Sequence, residues 1–257
     1  SAGNAFCQVT ISNSAAPVVF ADAVVASNIV NMGTPVAFGG DVTAASTFRT
    51  QGTNVSFGGA VTVPVFDNRN GGLVFSGVVT TVTFTNWQGD LTFRDNVSTR
   101  DFHCAPGGML LTFNAGKTYT IGNLGLYGRG GYPIQLRSSA GSHWYLNVTN
   151  RATVRLVDVQ YSDALAGETI RPVASTDSGS NSNWVFGEAW HTWVGTNSAV
   201  FTNANNWIPA GVPDSVAHLL VDGFYSNAPI LSGTATVMRM MVGGGVTTAT
   251  LTVNGQL

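Results

Sequence analysis

Thirteen carboxylates and four histidines supply most of the acid–base chemistry open to this chain near neutral pH, so their spacing is the first thing to read. Asp90, Asp95 and Asp101 form the densest acidic group, and Asp158 with Asp163 forms a second. Glycoside hydrolysis needs two carboxylates about 5–9.5 Å apart across one bond, and elimination chemistry on a polysaccharide needs a strong base beside a calcium-holding acid cluster. Either requires acids in one file on one face. Counted along the chain, Asp95 follows Phe93 by two residues and Asp101 by eight, while Asp90 precedes it. The three therefore fall at different corners of any regular coil, and Asp158 and Asp163 straddle a strand and a turn. Solvated corner residues account for both groups, and no catalytic residue is assigned.

His103, His143, His191 and His218 lie at wide intervals with no cysteine pair beside them, which gives no zinc-ligand spacing. His143-Trp144 and Trp190-His191 place an imidazole next to an indole, as a sugar platform would, but tryptophans near module boundaries also plug the ends of a stack. Asp177, Gly179, Asn181 and Asn183 have the look of a calcium loop, yet one carboxylate satisfies a hard divalent ion poorly, and a polar turn is the expectation. Asn54, Asn96 and Asn147 open N-x-S/T triplets, common by chance in a chain rich in these residues. No Gly-rich loop precedes a helix and no nucleophile has an ordered base. No metal or cofactor is expected, and the chain reads as a non-enzyme.

The elements that would position these residues come from a repeat. Phe20, Phe38, Phe57, Phe75, Phe93 and Phe113 are separated by 18, 19, 18, 18 and 20 residues. Val24, Val42, Val61, Val79 and Val97 follow the first five, and Ile29, Phe48, Phe66, Phe84 and Phe102 come after them. A period of this size with β-branched and aromatic anchors and no helical spacing predicts an all-β parallel β-solenoid with coils of about 18–22 residues. Gly39-Gly40, Gly58-Gly59 and Gly77 would turn its corners. Strands about 4.8 Å apart would stack the six phenylalanines as an interior ladder. The general rule for parallel crossovers makes the coil right-handed, with a left-handed version left open by the short period. A β-sandwich with coincidental phenylalanine spacing is the competing fold.

Composition points the same way. Charged residues make up 9% of the chain, against about 25% in an average globular protein. Net charge is −2 with one lysine, Lys117, so there is no basic patch for nucleic acid. No stretch approaches the roughly 20 apolar residues of a spanning helix, and membrane insertion is not expected. Cys7 and Cys104 are candidates for one disulfide. On a solenoid they would sit about five coils apart, on the order of 20 Å, whereas a disulfide holds Cα atoms within about 7 Å. A bond within the chain would need the N-terminal segment to run back along the stack.

Three parts are expected: residues 1–17 as an arm or cap, 18–186 as the solenoid, and 187–257 as the opening of a second β-rich solenoid module. Phe6, Val9 and Ile11 alternate like a strand and mark an assembly arm. The Gly- and Tyr-rich stretch 124–132 reads as a protruding loop. Thr192-Trp-Val-Gly195, Asn205-Asn-Trp207, Val212-Pro-Asp214, Pro229-Ile-Leu231 and Leu251-Thr-Val-Asn-Gly255 resemble the start of a module in large secreted bacterial β-solenoid proteins. Val157-Asp-Val-Gln-Tyr-Ser-Asp163, Ser175-Thr-Asp-Ser-Gly179 and Asn183-Trp-Val-Phe186 resemble the end of one, and the earlier coils share the general style of filamentous-haemagglutinin-like and autotransporter passenger stems. The resemblance implies an extracellular or cell-surface structural protein, a segment of a bacterial surface fibre or adhesin without catalysis. A carbohydrate-active β-helix enzyme or a carbohydrate-binding module is the alternative. The expected partners are further copies of the chain, joined head to tail into filaments through an uncapped strand edge, and cell-surface carbohydrate. An intermolecular Cys7–Cys104 bond would staple such a filament.

Overall fold

The computed structural model describes residues 6–12, 16–52, 54–187, 190–215, 217–243 and 249–253. Residues 1–5 of the expected arm and residues 254–257 after the last strand lie outside them. Eighteen strands build the first part: β1 Phe6–Ile11, β2 Val18–Phe20, β3 Val24–Asn31, β4 Val36–Phe38, β5 Val42–Thr50, β6 Val55–Phe57, β7 Val61–Asn68, β8 Leu73–Phe75 and β9 Val79–Asn86. They continue with β10 Leu91–Phe93, β11 Val97–Cys104, β12 Leu110–Phe113, β13 Thr118–Tyr127, β14 Ile134–Ser138, β15 Trp144–Arg155, β16 Val157–Val159, β17 Ser162–Asp163 and β18 Thr176–Asp177. Odd-numbered strands form one nine-stranded sheet and even-numbered strands a second, each in unbroken coil order. Every pairing within them is parallel, so the molecule is an all-β, parallel β-solenoid.

From β3 to β16 each coil is a long strand followed by a short one, and the long strand covers two sides. In β3, Val24 and Ala26 point inward, Ser27 and Asn28 interrupt the alternation, and Ile29 and Asn31 point inward again. Two consecutive outward residues shift the inward phase by one, and the strand bends there. β5 carries one residue more at this bend, where its register with both neighbours shifts, and this is why Phe38 and Phe57 are 19 apart and not 18.

The phenylalanines lie directly above one another. Phe20, Phe38, Phe57, Phe75, Phe93 and Phe113 are paired rung to rung, with neighbouring rings stacked at 4.8–6.0 Å. Phe48, Phe66, Phe84 and Phe102 form a second stack at 4.9–5.1 Å, and its rings meet the first column edge-on. Buried rings of this size contribute roughly 1.5–3 kcal/mol each, with offset and edge-to-face contacts adding to that. Where the coils lengthen, Phe113 pairs through its backbone with Ser138, and the indole of Trp144 takes the next place in the stack at 4.1 Å. Trp144 is fully buried and donates its N–H to the Gln160 carbonyl, so the His143-Trp144 platform does not exist.

A polar column runs beside the aromatic ones. Asn31, Thr50, Asn68, Asn86 and Cys104 stack in register, and none is exposed. Asn31, Asn68 and Asn86 each donate an amide hydrogen to the carbonyl three residues ahead, at Thr34, Gly71 and Gly89. Asn68 also reaches the Gln88 carbonyl at 3.0 Å and the Asn86 amide oxygen, and Asn86 reaches the Met109 sulfur at 2.9 Å. Each amide thus ties the turn that closes its long strand, satisfying carbonyls that have no strand partner. At the glycine corner the coils touch: a Cβ on Gly58 would lie 2.8 Å from the Gly39 carbonyl oxygen, and one on Gly77 2.5 Å from the carbonyl carbon of Gly59.

Residues 6–11, read from sequence as part of an arm or cap, form β1, the outermost described strand of the odd-numbered sheet, paired to β3, with Ile11 in the core and Phe6 outside. One expectation is corrected by the packing. The stretch 124–132 does not protrude as one loop, because β13 runs through it to Tyr127 and buries Leu124 and Leu126; only residues 128–132 leave the sheet. Cys7 and Cys104 are free thiols on strands five places apart in the same sheet. With β1 locked into its own rung, nothing brings them together within the chain.

The remaining strands are β19 Trp190–Trp193, β20 Trp207–Ile208, β21 His218–Val221, β22 Ile230–Leu231, β23 Arg239–Val242 and β24 Thr252–Val253, with one 3-10 turn at Ala204–Asn206. β19, β21 and β23 pair in parallel, β20 joins β19 antiparallel, and β22 pairs with β24. Trp193, Phe201, Trp207, Leu219, Val221 and Leu231 make a separate core. Leu156, Trp190 and Leu220 pack together where this core meets the solenoid. Beside them the buried Arg155 donates to the Gly243 carbonyl at 3.1 Å and faces Asp222. Burial pushes the Asp222 carboxyl up and the Arg155 guanidinium down, and each opposes the other's shift.

Candidate functional site

The acids singled out from sequence are distributed around the coil, and the described ones hold the scaffold together. Asp90 accepts the N–H of Leu110 at 2.8 Å, one coil on. Asp95 accepts from Lys117 and from the N–H of Asn96, both at 2.8 Å, which holds its carboxyl below the usual range. Asp158, in the even-numbered sheet, binds Arg137 and Ser178, while Asp163, in the odd-numbered sheet, accepts the N–H of Leu165 at 3.0 Å. Asn54 and Asn96, two of the triplet asparagines, accept the N–H of Gly72 and of Thr118 in the same corner-bridging manner. Asp177 accepts from the N–H of Gly179 and from Asn181, and Asn183 donates to the Ala164 and Gly167 carbonyls, which makes this segment a turn tied to the coil before it. Among the described residues no three His, Cys, Asp or Glu side chains gather as a metal site.

Asp101 stands apart because it opens a groove. On the outer face of β11, β13 and β15, backbone register aligns Asp101 with Asn123 and Arg151, and His103 with Gly125 and Thr153. Asn150 donates to Asn123 at 2.6 Å, Asn123 donates to Asp101 at 2.6 Å, and Arg100 donates to Asp101 at 2.8 Å. This chain of bonds, the Asn123 amide first and Arg100 second, holds the Asp101 carboxyl below its usual range. Asp101, His103, Asn123, Gly125, Tyr127, Asn150, Arg151 and Thr153 line a depression of about 390 Å³.

The floor is low because of Gly125. A Cβ there would sit 3.0 Å from the Tyr127 ring and 3.2 Å from His103 Nδ1, so the missing side chain leaves a notch between the two rings. The His103 imidazole lies 5.1 Å from the Tyr127 ring and 5.6 Å from the Trp87 indole, centroid to centroid. Burial pushes the His103 pKa down, favouring the neutral ring. Trp87, at the end of this aromatic run, is 37% exposed, unusual for an indole. Arg151 is exposed and donates through Nε to Thr153 at 3.1 Å, which leaves the outer edge of its guanidinium directed away from that bond.

The arrangement provides ring faces, amide groups and a cation on one side of a rigid sheet. It provides one carboxylate, already engaged by an amide and a guanidinium. Sequence reasoning weighed Asp101 and His103 separately and missed Asn123, Asn150, Arg151, Tyr127 and Trp87. Asn123, Tyr127, Asn150 and Arg151 stand 22 residues or more from Asp101, which follows the lengthened coils and not the phenylalanine period. Comparison of the chain with protein-family models, curated proteins and solved structures found no match.

Proposed function

We propose that this chain is a stiff structural segment of a secreted bacterial surface fibre or adhesin, acting by presenting a surface and not by catalysis. The observation that supports it most is the engagement of the corner acids: Asp90, Asp95 and Asp158 each bridge to a neighbouring coil, joining rung to rung. Carboxylates used this way add lateral ties to two nine-stranded parallel sheets and continuous aromatic columns. A quasi-one-dimensional stack of this kind carries load along its axis and displays side chains at fixed intervals. Head-to-tail self-association belongs to the same proposal, with sedimentation at rising protein concentration as its check.

Antibody raised against the folded chain tests the reading on intact source cells by immunogold labelling. Label on the cell exterior or on released fibres is expected, and label confined to the cell interior would overturn it. The alternative of a carbohydrate-active enzyme is met by incubating the protein with a broad polysaccharide panel. No release of reducing or unsaturated sugar is expected; turnover abolished by Asp101→Asn would replace the structural reading with the enzymatic one.

A further inference from the structure

We infer that the groove over β11, β13 and β15 binds a carboxylated polysaccharide, with a uronic acid residue held at Arg151. This site is a property of the sheet face and stands whether or not the chain is a fibre segment. Four observations converge on it. The groove is built on interior strands of the nine-stranded sheet, so its side chains are held at fixed rung spacing before any ligand arrives. His103 and Tyr127 within the groove, and Trp87 beside it with its ring 5.6 Å from that of His103, offer ring surface along the solenoid axis over two strand spacings, about 10 Å, which matches two consecutive sugar rings of an extended chain. The C–H faces of pyranose rings pack on such surfaces while hydroxyls reach the polar edge.

The polar edge is the Asp101–Asn123–Asn150 chain, whose amides and carboxylate offer donors and acceptors at successive rungs. Charge then selects among sugars. Asp101 is paired with Arg100, which leaves the Arg151 guanidinium as the uncompensated charge on the groove lining. A guanidinium whose Nε is fixed by Thr153 presents its remaining N–H groups as a planar fork, the geometry that a carboxylate matches with two parallel bonds. A neutral glycan would leave that fork unused. Nucleic acid, the other extended polyanion, finds no support in a chain of net charge −2 with one lysine.

Titration calorimetry with a 1,4-linked hexauronate and with its carboxyl-reduced, neutral counterpart tests the assignment. The parent protein is expected to bind the hexauronate at least tenfold more tightly than the neutral hexamer, with affinity falling as salt rises. Arg151→Gln, an exposed change that leaves the sheet intact, should erase that preference. Trp87→Ala and Tyr127→Ala should weaken both ligands together. Gly125→Val should block the notch; its melting temperature, compared with the parent, separates blocking from misfolding, and Arg151→Gln carries the test if Gly125→Val unfolds. No binding of either hexamer, equal affinity for the two, or a preference that survives Arg151→Gln would each overturn the inference.

Discussion

Phe57→Ala removes a ring that is 1% exposed and touches four others: Phe38 and Phe75 stacked at 5.3 and 4.8 Å, Phe48 and Phe66 edge-on at 5.3 and 5.8 Å. Truncating a core phenylalanine to alanine costs about 3–5 kcal/mol, since the lost transfer energy is joined by the cavity left behind. Four ring contacts on opposite sides hold that cavity open, because the backbone of each neighbour is fixed by its own rung, so the cost belongs near the top of the range. Phe20 serves as the internal control. It is half-buried and stacks on Phe38 at 5.1 Å, so Phe20→Ala forfeits about half of a full burial and one ring contact, roughly 2 kcal/mol. At about 2–4 °C per kcal/mol for a chain of this size, melting should fall by roughly 8–20 °C for Phe57→Ala and about 4–8 °C for Phe20→Ala. Hydrogen exchange adds location: the N–H of Ser76, donated to the Phe57 carbonyl at 2.8 Å, should lose protection before that of Asn114. Equal costs at the two positions, or less than about 1 kcal/mol at Phe57, would refute the continuous column.

Other consequences follow from the same packing. Asn68→Ala leaves the Gly71 and Gln88 carbonyls without their donor and should cost about 2–3 kcal/mol in urea denaturation; a cost within error of zero would mean that the polar column is passive. In native protein a thiol reagent should modify the exposed Cys7 quickly and spare Cys104, whose thiol is buried and pushed upward in pKa, with both reacting in denaturant; two fast thiols would contradict the burial. Asp95 has a lowered folded pKa, so its contribution is complete above the unfolded carboxylate value of about 3.9 and is lost as pH falls through the folded value. Asp95→Asn should therefore melt below the parent at pH 6 and together with it near pH 2, and a gap that persists in acid would sink the linkage.

How much was legible before any coordinates depends on whether a feature obeys the coil period. The phenylalanine ladder was readable because ring after ring recurs at 18–20 residues and aromatic anchors have few other uses. The polar column carried a period too, with Asn68 and Asn86 separated by 18, but an asparagine among many surface asparagines does not announce that it points inward. Its inward turn is intelligible only once the carbonyls at Gly71 and Gly89 are seen to need a donor. Beyond Phe113 the period lengthens; strands at Ile134, Trp144 and Val157 were still legible there, but two features were not: Trp144 enters the ring stack from a different strand than the phenylalanines it continues, and Leu124-Gly-Leu-Tyr127 looked like a loop because of its glycines. The groove fell in this same irregular stretch. Asp101, Asn123 and Arg151 are aligned by register, but a bulge between Ile121 and Asn123 intervenes, and no fixed interval in the sequence connects them.

Because Val61 and Val79 occupy equivalent rungs and 79 − 61 = 18, the segment from residue 61 to residue 78 is one whole coil. Excising it would join Ala60 to Val79 with every inward residue still facing inward, shortening the rod by about 4.8 Å and leaving its cross-section untouched. The length of such a molecule is therefore heritable in integer steps. Duplication or deletion of a whole coil would yield longer and shorter rods that fold alike, while any change that was not a whole coil would have to be absorbed at a bend, as the extra residue of β5 is. Reach, in this architecture, can vary without renegotiating the core.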